Sequence, residues 1–309
     1  MIGKNLKRFI SALYQPEKII LYLEDKNCFN IIPDKMYLEI MFWARLKYRL
    51  KLTNPQTFNE KLQWLKLYDR KPEYTIMVDK YEVKKYVASL IGENYVIPTI
   101  GVWERFEDID FDKLPNQFVL KCTHDSGGLV ICRNKKDFNF QHARQKIDKS
   151  LRLNYYYHGR EWPYKDVIPR IIAEEYISGI NGDVIDYKVH NFNGEPKIIL
   201  ACSERFSASG LREDFFDTNW NHLELNRPKY PNREVEIPRP ETLEEMLSVS
   251  RKLSKNIPFV RTDFYEVNGK LLFGEITFFP SSGFEPFAPE GWDLKLGQWI
   301  TLPNKKVKG

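Results

Sequence analysis

The sequence lacks any run of about 20 apolar residues, so no segment is long enough to cross a bilayer as a helix. Its start, Met1 to Leu13, carries basic residues but neither a long apolar core nor a small-residue cleavage site, and no secretory signal is visible. Cysteine is scarce: Cys28, Cys122, Cys132 and Cys202 show no C-x-x-C spacing and read as the reduced thiols of a cytoplasmic protein. The five histidines are scattered, which argues against a histidine-based metal centre. The phosphate-binding pattern G-x-x-x-x-G-K-[ST] is missing, as are G-x-G-x-x-G and the nucleophile elbow G-x-S-x-G. His124, Asp125 and Ser126 adjoin one another, but a triad is a spatial arrangement and sequence neighbours do not make one. There is no internal repeat and no low-complexity tract.

What is present is the composition of a soluble globular chain. With 309 residues, 42% hydrophobic and 29% charged, it has room for two domains or one large one. A net charge of +5 favours anionic ligands without marking a nucleic-acid protein. The aromatic load of 17 Tyr, 20 Phe and 7 Trp serves cores first, and stacking of sugars or bases second.

Chemistry concentrates in Arg261-Thr262-Asp263-Phe264 and Gly274-Glu275-Ile276-Thr277, two strands joined at Asn268-Gly269. Asp263 and Glu275 sit among Phe264, Phe273, Ile276, Phe278 and Phe279, where a buried unpaired carboxylate is costly. A divalent cation between them removes that cost, and carboxylate oxygens suit Mg²⁺. Alternation adds a geometric condition. A tight two-residue turn at Asn268-Gly269 pairs Val267 with Lys270 and sets Asp263 opposite Gly274, leaving Glu275 on the other face. An odd-length loop, or a bulge using Gly269 at positive φ, restores a common face.

Residues 1 to 78 read as helical. Ile2, Leu6, Phe9, Ile10 and Leu13 have helical spacing beside Lys4, Lys7 and Arg8, the pattern of a docking helix or of a helix lying on a membrane surface. Further helices are expected over 37–50, over 60–68 with Thr57 or Asn59 as cap, and over 79–91. A short strand at 95–98 and a hairpin of 117–122 with 129–132 follow. The hairpin tip, Asp125-Ser126-Gly127-Gly128, lies just beyond Lys121; such a tip brings backbone N–H groups and a lysine to phosphates. A helix over 139–158 ends in Tyr155-Tyr156-Tyr157. Strands are expected at 170–177, 184–192 and 197–203, with Ser178-Gly179 and Asn181-Gly182 as turns. Residues 203–220 and 226–240 read as irregular, 242–253 as a helix, and 304–309 as a basic frayed tail.

In this order the motifs resemble the ATP-grasp superfamily, and more narrowly its TupA-like branch, linked to bacterial surface-polysaccharide (teichuronopeptide) synthesis. The resemblance rests on Thr57-Phe58-Asn59-Glu60-Lys61, Asp79-Lys80-Tyr81, Leu114 to Lys121, Ala173-Glu174-Glu175-Tyr176, Asp186-Tyr187-Lys188 and the Arg261–Thr277 hairpin, over about residues 55–300. It implies an α+β fold in which two subdomains close on ATP behind a helical N-terminal extension. The expected divisions are 1–78, 79–173 and 174–309. It further implies that Lys121 contacts the phosphates, with Lys80 and Lys188 as phosphate or substrate contacts. Ser126, Gly127 and Gly128 would form a mobile phosphate loop. Glu174, Glu175, Tyr176 and Ile177 would be the hinge reading adenine, and Asp186 or Asp183 would hold the ribose. Asp263, Glu275 and Thr277 would be the metal set for Mg²⁺, and Arg261, with Lys121, a catalytic cation. Many superfamily members carry Glu-x-Asn where this chain has Glu275-Ile276-Thr277, which weakens a second metal position.

The activity implied by the resemblance is ATP-dependent carboxylate–amine ligation through an acyl phosphate, joining an amino acid or amine to a uronic acid or, in reverse, an acyl donor to an amino sugar, in the cytoplasm or at the inner face of the membrane, with no nucleic-acid partner. A glycosyltransferase and a phosphotransferase on the same fold are the alternatives.

Overall fold

The computed structural model describes residues 15–178, 184–205, 207 and 210–304. The N-terminal stretch 2–13, the turns at Gly179 and Asn181-Gly182, Asp183 and the tail 305–309 lie outside the described residues.

The chain enters through α1 (Pro16–Asp25) and α2 (Asp34–Leu46). On α2, Tyr37, Leu38, Met41 and Phe42 form the apolar stripe of a 3.6-residue period. They make a small core with Phe284, from far along the chain. α3 (Phe58–Tyr68) starts at a capping box: Thr57 Oγ1 accepts from the Glu60 N–H at 3.2 Å, and Glu60 Oε2 accepts from the Thr57 N–H at 3.1 Å. A short helix, α4 (Glu73–Val78), is separated from the helix expected over 79–91, which starts later, as α5 (Glu82–Ile91). Asp79 causes the break, because its Oδ1 takes the N–H groups of Tyr81 and Glu82.

The first sheet contains β1 (Thr99–Trp103), β2 (Phe118–Cys122), β3 (Leu129–Cys132) and β4 (Ile171–Glu175), antiparallel in the order β1-β4-β2-β3. The strand expected at 95–98 begins instead after Pro98, which has no N–H for a ladder; Val96 keeps an isolated bridge to Phe273. α6 (Phe140–Leu151) covers this sheet, its Ala143 and Ile147 sharing a core with Phe118, Leu120 and Ile171. It stops short of the expected 158. Beyond it, Asn154 Oδ1 accepts from the Tyr156 N–H and starts a separate 3₁₀ turn, Tyr155–Tyr157.

The second sheet contains β5 (Asp186–Phe192), β6 (Glu195–Ser203), β7 (Arg212–Asp217), β8 (Phe259–Val267) and β9 (Lys270–Thr277), in the order β7-β6-β5-β8-β9. β7 falls where the sequence suggested a loop. Its charges hide the strand pattern, yet Glu213 and Asp214 are buried because Arg227, Asn232 and Arg233 meet them. α7 (Leu243–Ser254) packs on one face, where Ser250 Oγ reaches Asn191 Oδ1 at 2.9 Å and Thr262 Oγ1 at 2.5 Å. A last short helix, α8 (Trp292–Gln298), packs on α3. The chain leaves the first sheet at Glu175, and the second begins at Asp186.

Candidate functional site

The face of the second sheet opposite α7 opens on a cleft of about 420 Å³, closed on the other side by the first sheet and the β2–β3 tip. Strand parity builds its floor. Asp186 pairs with Tyr265, Lys188 with Asp263 and His190 with Arg261, while Asp263 and Arg261 pair onward with Glu275 and Thr277. Directly paired residues share a face, so three rungs of side chains cross β5, β8 and β9.

The condition on the hairpin is met by a different device from those the sequence suggested. Val267 does pair with Lys270 across a two-residue turn, with Asn268 at φ 53° and Gly269 at φ 72°. The correction comes at the other end of the strand. Phe264 pairs with Phe273 and Asp263 with Glu275, so Gly274 is the extra residue of a bulge. A Cβ there would stand 3.2 Å from the Asp263 carbonyl oxygen and 3.1 Å from the Tyr265 ring, which explains the glycine.

The charges on this floor are interlocked. Arg261 Nε and Nη2 each donate to Asp263 at 2.7 Å, and Nη2 also reaches Glu275 Oε1 at 3.2 Å and Thr277 Oγ1 at 3.1 Å. Lys188 Nζ bridges Asp263 at 2.5 Å and Asp186 at 2.6 Å, and Arg205 adds a contact to Asp186 at 3.2 Å. Burial alone would lower the Lys188 and Arg261 pKa values, but the carboxylates outweigh it and both are raised. His190, buried and close to Arg261, is pushed down to about 3 and is neutral at physiological pH.

This donor set fits Mg²⁺ in one particular mode. No group of three or more His, Cys, Asp or Glu able to hold a metal occurs among the described residues. Two opposed carboxylates do occur, and Mg²⁺ is commonly held by one or two carboxylates plus substrate phosphates and water. Asp186 Oδ1, buried on the cleft wall and without a hydrogen-bond partner among the described residues, is a further oxygen facing the site. Thr277 gives its hydroxyl oxygen to Arg261 and is not part of the cleft wall.

On the roof, Lys121 points from β2 into the cleft and meets Glu174 Oε2 at 2.5 Å. Lys84, from α5, holds the other oxygen at 2.6 Å. Burial would raise the Glu174 pKa, but the two lysines bring it below its ordinary 4.5. On Lys84 burial dominates, and its pKa is lowered despite Glu174. A carboxylate with a depressed folded pKa contributes stability above its unfolded value and loses it as pH falls through the folded one. Glu174→Gln is therefore expected to destabilise the protein by about 3 kcal/mol at neutral pH, with the gap narrowing below pH 4.5. Urea midpoints of both chains across the acid range check this, and a pH-independent gap contradicts it.

The remaining positions fall around the same cleft. Glu175, Tyr176 and Ile177 run along its wall after β4. At the tip, Ser126 and Gly128 line the cleft, whereas Gly127 does not. The Gly128 N–H is taken by the Asp125 carboxylate at 3.0 and 3.1 Å, and Lys80 Nζ donates to the Asp125 carbonyl. Sequence reasoning missed Lys84, Arg205, Glu213, Arg227 and Tyr230. Lys84 carried a weak signal, as a lysine on a helix with apolar neighbours; the others lie in stretches that read as irregular.

The profile of a family described as TupA-like ATPgrasp matches residues 60–301. No curated protein sequence matches the chain significantly. Among solved structures it is similar to D-alanine–D-alanine ligase from Helicobacter pylori, at 16% identity and TM-score 0.45, over 79% of this chain and 69% of that one. It is also similar to the Bacillus anthracis ligase of the same name, complexed with ATP, at 18% identity and TM-score 0.38, over 66% and 55%. A third is the ATP-grasp ligase PsnB with minimal precursor, Mg and ADP, at 9% identity and TM-score 0.37, over 71% and 57%. The chain thus spans little more than half the length of the Bacillus anthracis enzyme and of PsnB.

Proposed function

The chain belongs to the TupA-like ATP-grasp family, and from that premise we propose that it is an ATP-dependent carboxylate–amine ligase of bacterial cell-surface polysaccharide biosynthesis, joining an amino acid or amine to a uronic acid through an acyl phosphate. One observation carries the reading: Lys121 on the roof faces a floor where Asp263 and Glu275 are opposed and Arg261 touches both. That pairing of cations and a two-carboxylate metal site in one cleft suits a polyphosphate better than any neutral ligand.

Each residue then has a task its surroundings permit. Asp263 and Glu275 hold Mg²⁺, which when bound offsets charge on the phosphates and polarises the transferring group. Lys121 can swing from Glu174 to a phosphate, leaving Lys84 to keep Glu174 paired. Lys188 and Arg261 stay protonated, so the floor keeps its positive charge as the reaction proceeds. Arg261 spends Nε and Nη2 on the carboxylates, and Nη1, without a hydrogen bond among the described residues, is available to an oxyanion on the substrate carboxylate. Glu175, Tyr176 and Ile177 provide the base-binding edge, Lys80, Ser126, Gly127 and Gly128 the tip over the phosphates, and Asp186 the ribose contact. No helix among the described residues is long and apolar enough to cross a membrane, and the proposed seat of the reaction is the cytoplasmic side of one.

Release of ADP measured with amino acids and uronic acids together, with the product weighed by mass spectrometry, tests the reading. The expected product has the two substrates joined with loss of water and no phosphorus. A phosphorylated product would make the protein a phosphotransferase, and turnover of a nucleotide-sugar without ATP would make it a glycosyltransferase.

A further inference from the structure

Beside the nucleotide cleft lies a second cavity, of about 430 Å³, and Tyr230 lines both. Distant parts of the chain build it: Glu24 and Arg45 from α1 and α2, His158, Lys229, and the turn that follows β9. The turn is held in an unusual shape. Ser281 and Ser282 are both left-handed, at φ 48° and 54°, ahead of Gly283 at φ 63°. Residues with a Cβ avoid that region and persist there only when the surroundings over-determine them. Here α3 does so from below. Gln63 Nε2 donates to the carbonyls of Ser282 and Gly283 at 3.1 and 2.6 Å, and Lys66 Nζ to that of Ser282 at 2.6 Å.

The partition between the two spaces is Arg227. Its guanidinium meets Glu213 of the cleft at 2.8 Å, lies 3.6 Å from Glu285 of the cavity, and donates to Ser281 Oγ at 3.2 Å. The Ser282 hydroxyl donates to Glu161, whose carboxylate feels both Arg261 and Glu275 of the metal hairpin. The cavity therefore abuts the end of the cleft where the metal and the reacting groups belong.

Two cations, Arg45 and Lys229, and two carboxylates, Glu24 and Glu285, line it. Glu24 is already engaged by the Tyr37 hydroxyl at 3.0 Å and by Arg45 at 3.3 Å, and Glu285 faces Arg227. Lys229 is exposed, rests over the Tyr230 ring at 5.1 Å, and has no carboxylate within ion-pair distance among the described residues. We propose that this cavity is the second-substrate subsite of the ligase, and that Lys229, supported by Arg45 on the far side of Glu24, holds an anionic group, carboxylate or phosphate, of that substrate. The proposal rests on the ATP-ligase reading above. It also assigns a task to the N-terminal helices: Glu24 and Arg45 precede residues 60–301, the part of the chain that the family profile matches.

The test uses the full chain with ADP and Mg²⁺, and D-glucuronate, D-glucose 6-phosphate and D-glucose as probes, with binding followed by calorimetry. Both anions, or one of them, should bind at least about fivefold more tightly than glucose, and Lys229→Gln should weaken the anion by about fivefold, the scale of one exposed ion pair. Arg45→Gln should act in the same direction, and ADP affinity should stay unchanged in Lys229→Gln. Which anion binds distinguishes a carboxylate from a phosphate substrate. Equal binding of glucose, no binding of either anion, or insensitivity to both substitutions overturns the proposal. Failure of the wild-type chain to bind ADP would instead overturn the nucleotide reading, a separately visible result.

Discussion

Glu275→Gln is expected to lower ATP turnover by about a thousandfold, because a carboxylate that holds the metal supplies several kcal/mol of charge stabilisation and each ~1.4 kcal/mol is tenfold in rate. Its fold should survive. The Glu275 side chain is 37% exposed, and its ion pair in this structure is a single contact of 3.2 Å to Arg261. A half-solvated pair of that kind contributes about 1 kcal/mol or less, and glutamine keeps the volume and one acceptor. Asp263 is the contrasting partner. It is 1% exposed and receives both Arg261 and Lys188. Asp263→Asn leaves two buried cations short of their counter-charge, so it should lose turnover and about 3–5 kcal/mol of stability together. Steady-state ADP release and urea denaturation of the two variants separate the cases. Glu275→Gln retaining more than about a tenth of wild-type turnover would mean that the metal is held elsewhere.

The second large effect is on stability, at Lys66. This lysine is completely buried in α3, where its Nζ donates to Gln63 Oε1 at 3.0 Å and to the carbonyls of Gly159 and Ser282 at 2.6 Å. Its ammonium also lies 4.8 Å from the Phe284 ring centre. The counter-charge that acts on it most strongly is Glu161, likewise buried and hydrogen-bonded to Ser282. Burial pulls the lysine pKa down and pushes the glutamate pKa up, while each opposes the shift in the other. Lys66→Met keeps the apolar stem but strands the Gly159 carbonyl, the Gln63 amide oxygen and the Glu161 carboxylate. A loss of about 3–5 kcal/mol is expected from breaking such a buried arrangement. Adding Glu161→Gln should restore part of it, since the two residues form one network. Urea midpoints of the two single variants and the double variant close the cycle, and a Lys66→Met cost below about 1 kcal/mol contradicts the assignment. The turn at Ser281 and Ser282 also loses a clamp, so surviving Lys66→Met protein should show a raised KM for the second substrate with the KM for ATP little changed.

The parts of this site legible from sequence are those encoded locally. Asp263 and Glu275 stand on strands with clear alternation, and Lys121 ends an apolar strand before a glycine-bearing tip. Parity on β5 likewise put Asp186 and Lys188 on one face. The rest depends on pairings between distant segments. The register of the hairpin could not be read from its turn, because Asn268-Gly269 makes the tight turn its residues favour and the correction lies at Gly274. β7 read as a loop because its buried carboxylates are met from a proline-rich stretch, Glu213 by the Arg227 guanidinium and Asp214 by Asn232 and the Arg233 backbone N–H, contacts no window on the chain displays. Lys66 did leave a trace: it lies four residues after Leu62 and shares that residue's buried helical face, where an unpaired lysine would not be tolerated. The partner that makes it tolerable comes from beyond residue 158.

The separation of turn from bulge has a practical consequence. With Val267 paired to Lys270, the bulge at Gly274 sets Asp263 opposite Glu275, so an insertion that leaves that pair in place leaves the register of the metal strands in place. Asn268, Gly269 and Lys270 are exposed at the far end of the ribbon. That tip is accordingly a port into which a reporter peptide or an affinity handle can be spliced between Asn268 and Gly269, leaving the carboxylates face to face while Val267 and Lys270 stay paired.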